Sequence, residues 1–214
     1  MKAFLIIGMG SFGHHLCRSF AGQNCEIMIV DQNPENLEDM LRYVTSAKIG
    51  DCTNPDVLRS FDVASFDACF VCMGTNFQNS LQITSLLKEL GAKMVYSKAD
   101  EDIQAKFLLR NGADEVIYPE KDGAERIAIR ASSDSIFDCI EISGDFYIME
   151  IQPLPEWIGK TIRQLDFRNK YHMNIISTKI GDQIFPMPGI DHPFRPEEHL
   201  MVLGHIDDIR KVIE

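Results

Sequence analysis

The sequence predicts an α/β chain in which a doubly wound parallel sheet precedes a smaller α+β domain. Short apolar runs alternate with helical stretches through roughly the first 118 residues, and a glycine cluster directly follows the first run. Beyond about residue 133 the strands instead alternate apolar and polar positions. Strands covered on both faces read as continuous apolar runs, whereas strands with one wet face alternate, so the two halves belong to different architectures.

Residues 2–7 form the first strand, and a helix carrying Leu16 and Phe20 in register starts at Phe12. Cys25 to Val30 is the second strand, closed by Asp31, and Asn33-Pro34 opens a helix with a capping oxygen and a proline suited to the first helical position. A third strand lies near Val44 to Ile49, Asn54-Pro55 starts a short helix, and Asp67 to Met73 is the fourth strand. Gly74-Thr75-Asn76 leads into a long helix, Lys93 to Ser97 is the fifth strand, and a helix from Asp100 to about Asn111 precedes the sixth at Glu115 to Tyr118. An isolated helix is expected over 122–132, then strands at Phe137 to Ile142 and Phe146 to Ile151. Gly181-Asp182 signals a hairpin between Met173 to Ile180 and Gln183 to Phe185. A strand at His199 to Leu203 and a helix at Asp207 to Ile213 complete the chain. The expected division is 1–121, a connecting helix at 122–133, and a second domain at 134–214.

Composition narrows the function. A net charge of −11 excludes a protein that grips nucleic acid through its phosphates and disfavours anionic membranes. No apolar run approaches the roughly 20 residues that span a bilayer, and glycines interrupt the N-terminal apolar stretch within about five residues, too soon for a signal peptide. The six cysteines are scattered through apolar segments, as buried thiols of a reducing compartment are. Cys69 and Cys72 form a C-x-x-C, but on a strand such a pair points to opposite faces, so they read as core and not as a metal or redox site.

Gly8-Met9-Gly10-Ser11-Phe12-Gly13 is G-x-G-x-x-G between a strand and a helix, the signature of a Rossmann-type βαβ unit. The first glycine makes the turn, the second admits a pyrophosphate against the backbone, and the third lets helix and strand pack. Asp31 ends the next strand, where a carboxylate accepts from a ribose 2′-hydroxyl and repels a 2′-phosphate; NAD(H), ATP or ADP fit and NADP does not. Other candidates fall at strand C-termini. Asp51-Cys52-Thr53 follows strand three, with Asp51 either a ligand contact or a turn residue. Gly74-Thr75-Asn76 follows strand four; Lys98, after strand five, is a phosphate cation or a solvated lysine; Glu120-Lys121-Asp122, after strand six, is a site element or a charged linker.

Several further stretches join these: G-D-C-T-N at 50–54, M-G-T-N-F-Q-N-S at 73–80, N-G-A-D-E-V-I-Y-P-E-K at 111–121 and V-L-G-H-I-D-D-I at 202–209. Together they resemble the regulator of K⁺ conductance (RCK) family, more narrowly the cytosolic regulatory subunits of bacterial Trk/Ktr-type potassium-uptake systems. The resemblance implies a gating protein and not an enzyme. Its dimers would assemble into an octameric ring docked on a membrane K⁺ channel or transporter at the cytoplasmic face. Carried over by position, Gly8, Met9, Gly10, Ser11, Phe12, Gly13, Asp31, Gln32, Asp51, Cys52, Thr53, Gly74, Thr75, Asn76 and Lys98 would line the nucleotide site. Glu120 would lie near the phosphates as a cation-site residue between subunits, and Arg168 and Asn169 are the positions to watch for cyclic di-AMP in the second domain. Members of the family commonly carry arginine where this chain has Ser11; serine adds no charge for a terminal phosphate, which favours ADP or NAD(H) over ATP.

Two other readings follow from the residues. The glycine motif alone suggests an NAD-dependent oxidoreductase, yet His172, His192, His199 and His205 all read as surface or turn positions outside any catalytic motif. A soluble nucleotide sensor acting on a different partner is the third. The helix around 102–110 carries Ile103, Ala105, Phe107, Leu108 and Leu109, too broad an apolar set for one face, so it is either sunk in its own domain or covered by another subunit.

Overall fold

The computed structural model describes residues 1–74 and 76–213, which divide into two compact units, Met1–Lys121 and Asp122–Glu214. In the first unit the strands are β1 (Lys2–Ile7), β2 (Cys25–Asp31), β3 (Ser46–Ile49), β4 (Ala68–Val71), β5 (Val95–Lys98) and β6 (Glu115–Ile117). They form one parallel sheet in the order β3-β2-β1-β4-β5-β6. The helices are α1 (Ser11–Ala21), α2 (Glu35–Glu38), α3 (Pro55–Arg59), α4 (Phe77–Glu89) and α5 (Asp102–Arg110).

Burial on both faces explains the apolar runs. Leu5 and Ile7 of β1 join Val30, Cys69, Val71 and Val95 beneath Leu58, Ile83 and Leu87 of α3 and α4. Ile6 faces the other way, with Ile27, Ile29, Phe70 and Cys72 against Cys17 of α1 and Leu37 of α2. Cys69 and Cys72 therefore sit in cores on opposite sides of the sheet. Burial pushes each thiol up to about 12, which keeps both protonated and inert.

The N-G-A-D stretch holds the edge of this sheet together. Asn111 caps α5, Gly112 turns the chain at φ +110°, and Ala113 is buried. Asp114 then accepts from the Val95 N–H at 2.7 Å and from Lys88 Nζ at 2.9 Å, seating β6 beside β5. On α5, Ala105 and Leu108 are buried while Ile103, Phe107 and Leu109 stay exposed on the single chain.

Helix α6 runs Pro119–Ala131, starting three residues before the expected 122. Proline suits the first helical position, where its missing N–H would have no partner, so Glu120 lies in a first turn and not in a charged linker. The second unit holds β7 (Ile136–Ser143), β8 (Phe146–Ile151), α7 (Ile162–Leu165), α8 (Phe167–Tyr171), β9 (Asn174–Ile180), β10 (Gln183–Pro186), β11 (Glu198–His205) and α9 (Ile206–Ile213). Its antiparallel sheet is ordered β10-β9-β11-β8-β7. Met149, Ile151, Leu200 and Val202 pack against Trp157, Phe167, Phe194 and Ile209, and Trp157 Nε1 donates to Tyr171 Oη at 2.9 Å.

The turn or surface reading fails for His199. It lies within β11, stacked on Phe137, with Nδ1 2.7 Å from Glu150 Oε1. Lys179 Nζ donates to the same buried carboxylate at 2.9 Å. Burial would raise the Glu150 pKa, but the His199 and Lys179 hydrogen bonds outweigh it and hold it low.

Candidate functional site

The chain direction across the first sheet reverses between β1 and β4, and in open parallel sheets a crevice opens there, beyond the strand C-termini. A cleft of about 570 Å³ occupies that place, within the range of small-ligand pockets. Of the predicted residues, Gly8, Gly10, Ser11, Phe12, Asp31, Gln32, Cys52, Gly74, Lys98 and Glu120 line it.

Its floor is the glycine loop. Gly8 takes φ +89°, and its N–H donates to the Val30 carbonyl at 2.9 Å. A Cβ at Gly13 would run into the Gly8 carbonyl oxygen, so glycine there is a packing requirement of β1 against α1. Gly10 is different. Its φ of −76° suits any residue, and a Cβ would meet nothing within 4 Å. The protein itself does not need glycine at position 10; a ligand lying against the backbone would. Gly10 is also the N-cap of α1, with no side-chain cap and no acidic residue in the first turn. The opening N–H groups of α1 and the positive end of its dipole are left for an anion.

Asp31 is fixed by that same loop. Its Oδ2 accepts from the Met9 N–H at 2.6 Å and its Oδ1 from the Asn33 N–H at 2.8 Å. A carboxylate has about four acceptor positions, so two remain for the hydroxyls of a ribose. Met9 contributes only its backbone; its side chain is buried in the core.

Lys98 closes the far end. Its side chain is 10% exposed, with Nζ 2.7 Å from Glu120 Oε1 and 3.2 Å from Asp100 Oδ1. Burial would lower the Lys98 pKa, but the two carboxylates more than reverse this and raise it, so the ammonium is charged. The hydrogen bond from Lys98 likewise pulls Glu120 down. Glu120 Oε1 accepts from the Lys98 ammonium in the single chain, and among the described residues no group of three His, Cys, Asp or Glu side chains could hold a metal ion.

Besides Met9 and Gly13, three predicted residues, Asp51, Thr53 and Asn76, stand apart from the lining. Asp51 Oδ1 accepts from the Thr53 N–H and hydroxyl at 2.9 and 2.7 Å, bonds that lower its pKa and make a local turn. Asn76 caps α4 through the Asn79 N–H. Thr75 lies outside the described residues. Conversely, Asn36, Gly50, Met73 and Asp100 line the cleft and were not read from the sequence. Asp100 had a readable signal, since it follows Lys98 by two positions, and Gly50 and Met73 each directly precede a predicted residue; Asn36 is brought in by tertiary packing.

The match to known families follows this architecture. The TrkA-N domain model matches residues 4–119 and the TrkA-C domain model residues 146–214. The chain belongs to the TrkA family. Its relatives include Ktr system potassium uptake protein C of Bacillus subtilis (strain 168), 33% identical over 210 residues, covering 98% of this chain and 95% of that one. Ktr system potassium uptake protein A of the same organism is 32% identical over the same shares. Among solved structures, a GsuK channel bound to NAD superposes with a TM-score of 0.71 at 18% identity, over 100% of this chain and 39% of that one. A GsuK RCK domain gives 0.69 at 18% identity, over 99% and 47%. The chain thus spans less than half the length of these channel chains, and at such identity they establish the fold.

This TrkA-family chain has a second cleft in its C-terminal unit, about 420 Å³, between α7, α8 and the start of β9. Arg168 lines it and donates from Nε to Asn174 Oδ1 at 2.7 Å. Asn169 does not line it; its Nδ2 is bound to Asp166 Oδ1.

Proposed function

We propose that this protein is the nucleotide-sensing regulatory subunit of a potassium-uptake system, with an adenine nucleotide or NAD(H) in the glycine-loop cleft setting the state of a membrane K⁺ channel or transporter. The observation that carries the ligand class is Gly10: an N-cap with free N–H groups, where glycine serves no need of the fold, facing an Asp31 held ready for a ribose. The full-length likeness to Ktr potassium uptake proteins supplies the transport context, and the GsuK channel, whose fold this chain shares, has been solved bound to NAD, a member of the same ligand class.

The subunit acts by binding and not by turnover. A ligand that favours one state about a hundredfold shifts the equilibrium by roughly 2.7 kcal/mol, enough to bias a gate without any catalytic group. The exposed Ile103, Phe107 and Leu109 on α5 support association of copies, as dimers building an octameric ring. A divalent cation at Glu120 would need ligands from a second copy. Among the described residues no helix is long and apolar enough to cross a membrane, consistent with a chain held at the cytoplasmic face of the membrane by its channel partner. The Arg168-lined cleft is where a cyclic dinucleotide such as cyclic di-AMP would bind in the second unit, with Asn169 holding α8 through Asp166.

Mass spectrometry of small molecules released on denaturation tests the ligand, and co-purification with a membrane potassium transporter tests the partner. Reproducible reduction of NAD⁺ with alcohols or hydroxy acids would replace this reading with the oxidoreductase one. Light scattering that gives a strict monomer would remove the ring.

A further inference from the structure

One histidine ties the glycine loop to helix α2. His14 closes the first turn of α1, where side chains lean back toward the helix start, and its Nδ1 lies 3.0 Å from the Gly10 carbonyl oxygen. Its Nε2 lies 3.1 Å from Asp39 Oδ1, at the end of α2. A carbonyl oxygen and a carboxylate only accept, so each ring nitrogen must carry a proton for both bonds to form. A neutral imidazole has one N–H and makes one bond or the other. The two contacts together are those of the imidazolium.

We propose that His14 is a positioning residue of the nucleotide site, whose imidazolium joins the glycine loop to α2 and places a proton-dependent positive charge behind the ligand phosphates. This rests on the nucleotide reading of the cleft. Among the described lining residues Lys98 is the only basic side chain. His14 stands outside the lining, about 6 Å along the helix axis from Gly10, so it adds charge without occupying the place of a phosphate. A cation in the first turn opposes the helix dipole, a cost that an anion at the N-terminus removes. Phosphate binding and protonation of His14 therefore favour each other, and the coupling is reciprocal.

The charged groups around the ring leave that coupling intact. Asp39 also accepts from Arg18 Nη2 at 3.3 Å, one turn further along α1. On the 3₁₀ turn Leu41–Tyr43, which packs on α1 as well, the charge of Arg42 lies over the Tyr43 ring. On the strands beneath α1, Lys2 and Glu26 lie at the opposite end of the sheet from the cleft, and Asp31 is held by the Met9 and Asn33 N–H groups. Loss of the His14 proton leaves Asp39 paired with Arg18 but unties the loop from α2. Histidines titrate between about pH 5 and 8. The tighter-binding form is thus present at the acid end of that range and is lost as the pH rises through it.

NAD⁺ is the probe, because its diphosphate has no proton to gain near neutral pH, whereas the terminal phosphate of ADP titrates there. The full chain, stripped of nucleotide, is titrated calorimetrically with NAD⁺ and with adenosine at pH 6 and pH 8. The parent protein should bind NAD⁺ about three- to tenfold tighter at pH 6, with adenosine affinity unchanged. It should also take up protons on binding NAD⁺, read from titrations in two buffers of different ionisation heat. His14→Gln should remove both the pH dependence and the proton uptake, and His14→Arg should hold the tighter affinity at both pH values. His15→Gln, one residue on and exposed, should behave as the parent does. Equal NAD⁺ affinities of the parent at the two pH values would overturn the proposal, as would a pH dependence that survives His14→Gln. Should the parent bind neither NAD⁺ nor ADP at either pH, the nucleotide reading itself has failed. Thermal unfolding of each variant beside the parent separates a binding change from misfolding. If one variant does not fold, the parent's pH dependence and proton uptake decide together with the other.

Discussion

Replacing Gly10 by alanine places a methyl group where, beyond the neighbouring residues of the chain, no atom of the described residues lies within 4 Å, on a backbone whose φ of −76° any residue accepts. The fold should notice only the small difference between glycine and alanine at a helix N-cap, below about 1 kcal/mol. For a unit of this size that is a melting shift of at most about 5 °C. A pyrophosphate lying against the backbone would meet the new methyl and be pushed off the N–H groups of α1. Charge-assisted hydrogen bonds contribute about 1.5–3 kcal/mol each, so loss of one weakens binding by about 10- to 150-fold. Calorimetric titration with ADP and NADH, beside thermal unfolding of the ligand-free variant, measures both quantities. An affinity within about twofold of the parent would refute the placement of the phosphates.

Gly13→Ala should do the reverse: its Cβ would overlap the Gly8 carbonyl oxygen, with backbone on both sides and no flexible chain to give way. A loss of about 1–3 kcal/mol in urea unfolding without ligand is expected. Iodoacetamide at pH 8 should leave Cys69 and Cys72 unlabelled in the native protein and label both in denaturant, because burial holds each thiol at about 12; peptide mass spectrometry reads the result. Asp114→Asn keeps an acceptor for the Val95 N–H but loses the Lys88 ion pair, at a cost of about 1–2 kcal/mol near pH 7. Partial burial pushes the Asp114 carboxyl up, but Lys88 and the Val95 N–H pull it lower still. A carboxyl depressed in the folded state stabilises above its unfolded pKa of about 4 and loses that contribution as pH falls through the folded value. The gap between parent and Asp114→Asn in urea unfolding should therefore shrink as the pH is lowered below about 4. Ser11→Arg adds a cation at the glycine loop, and the ratio of ATP to ADP affinity should rise about tenfold in paired titrations; an unchanged ratio would place the terminal phosphate away from position 11.

Legibility followed the range of the forces involved. Alternation of apolar runs and helices reports a sheet covered on both faces, because each strand must bury both sides of its own short stretch. The glycine loop was equally readable, since its turn, its close approach and its helix packing are fixed within six consecutive residues. Pro119 was a local sign left unread: the helix expected from 122 starts three residues earlier, at the proline. The short helices α7 and α8, with four and five residues, have no apolar period to show, and only the Thr161-x-x-Gln164 capping box marks the start of α7.

The sequence by itself therefore determined the parallel fold, the position of the cleft, the acid at the end of β2 that lines it and the family. Tertiary structure alone decided which residues face one another across it. Asp31 belongs to the glycine loop through the Met9 N–H, 22 residues away, and Lys98 belongs to Glu120, again 22 residues on. It also decided that Asp51, Thr53 and Asn76, equally well placed by spacing, spend their side chains on local turns and caps. Periodicity is a property of neighbours along the chain, whereas an ion pair is a property of neighbours in space, and only the packed sheet brings those together.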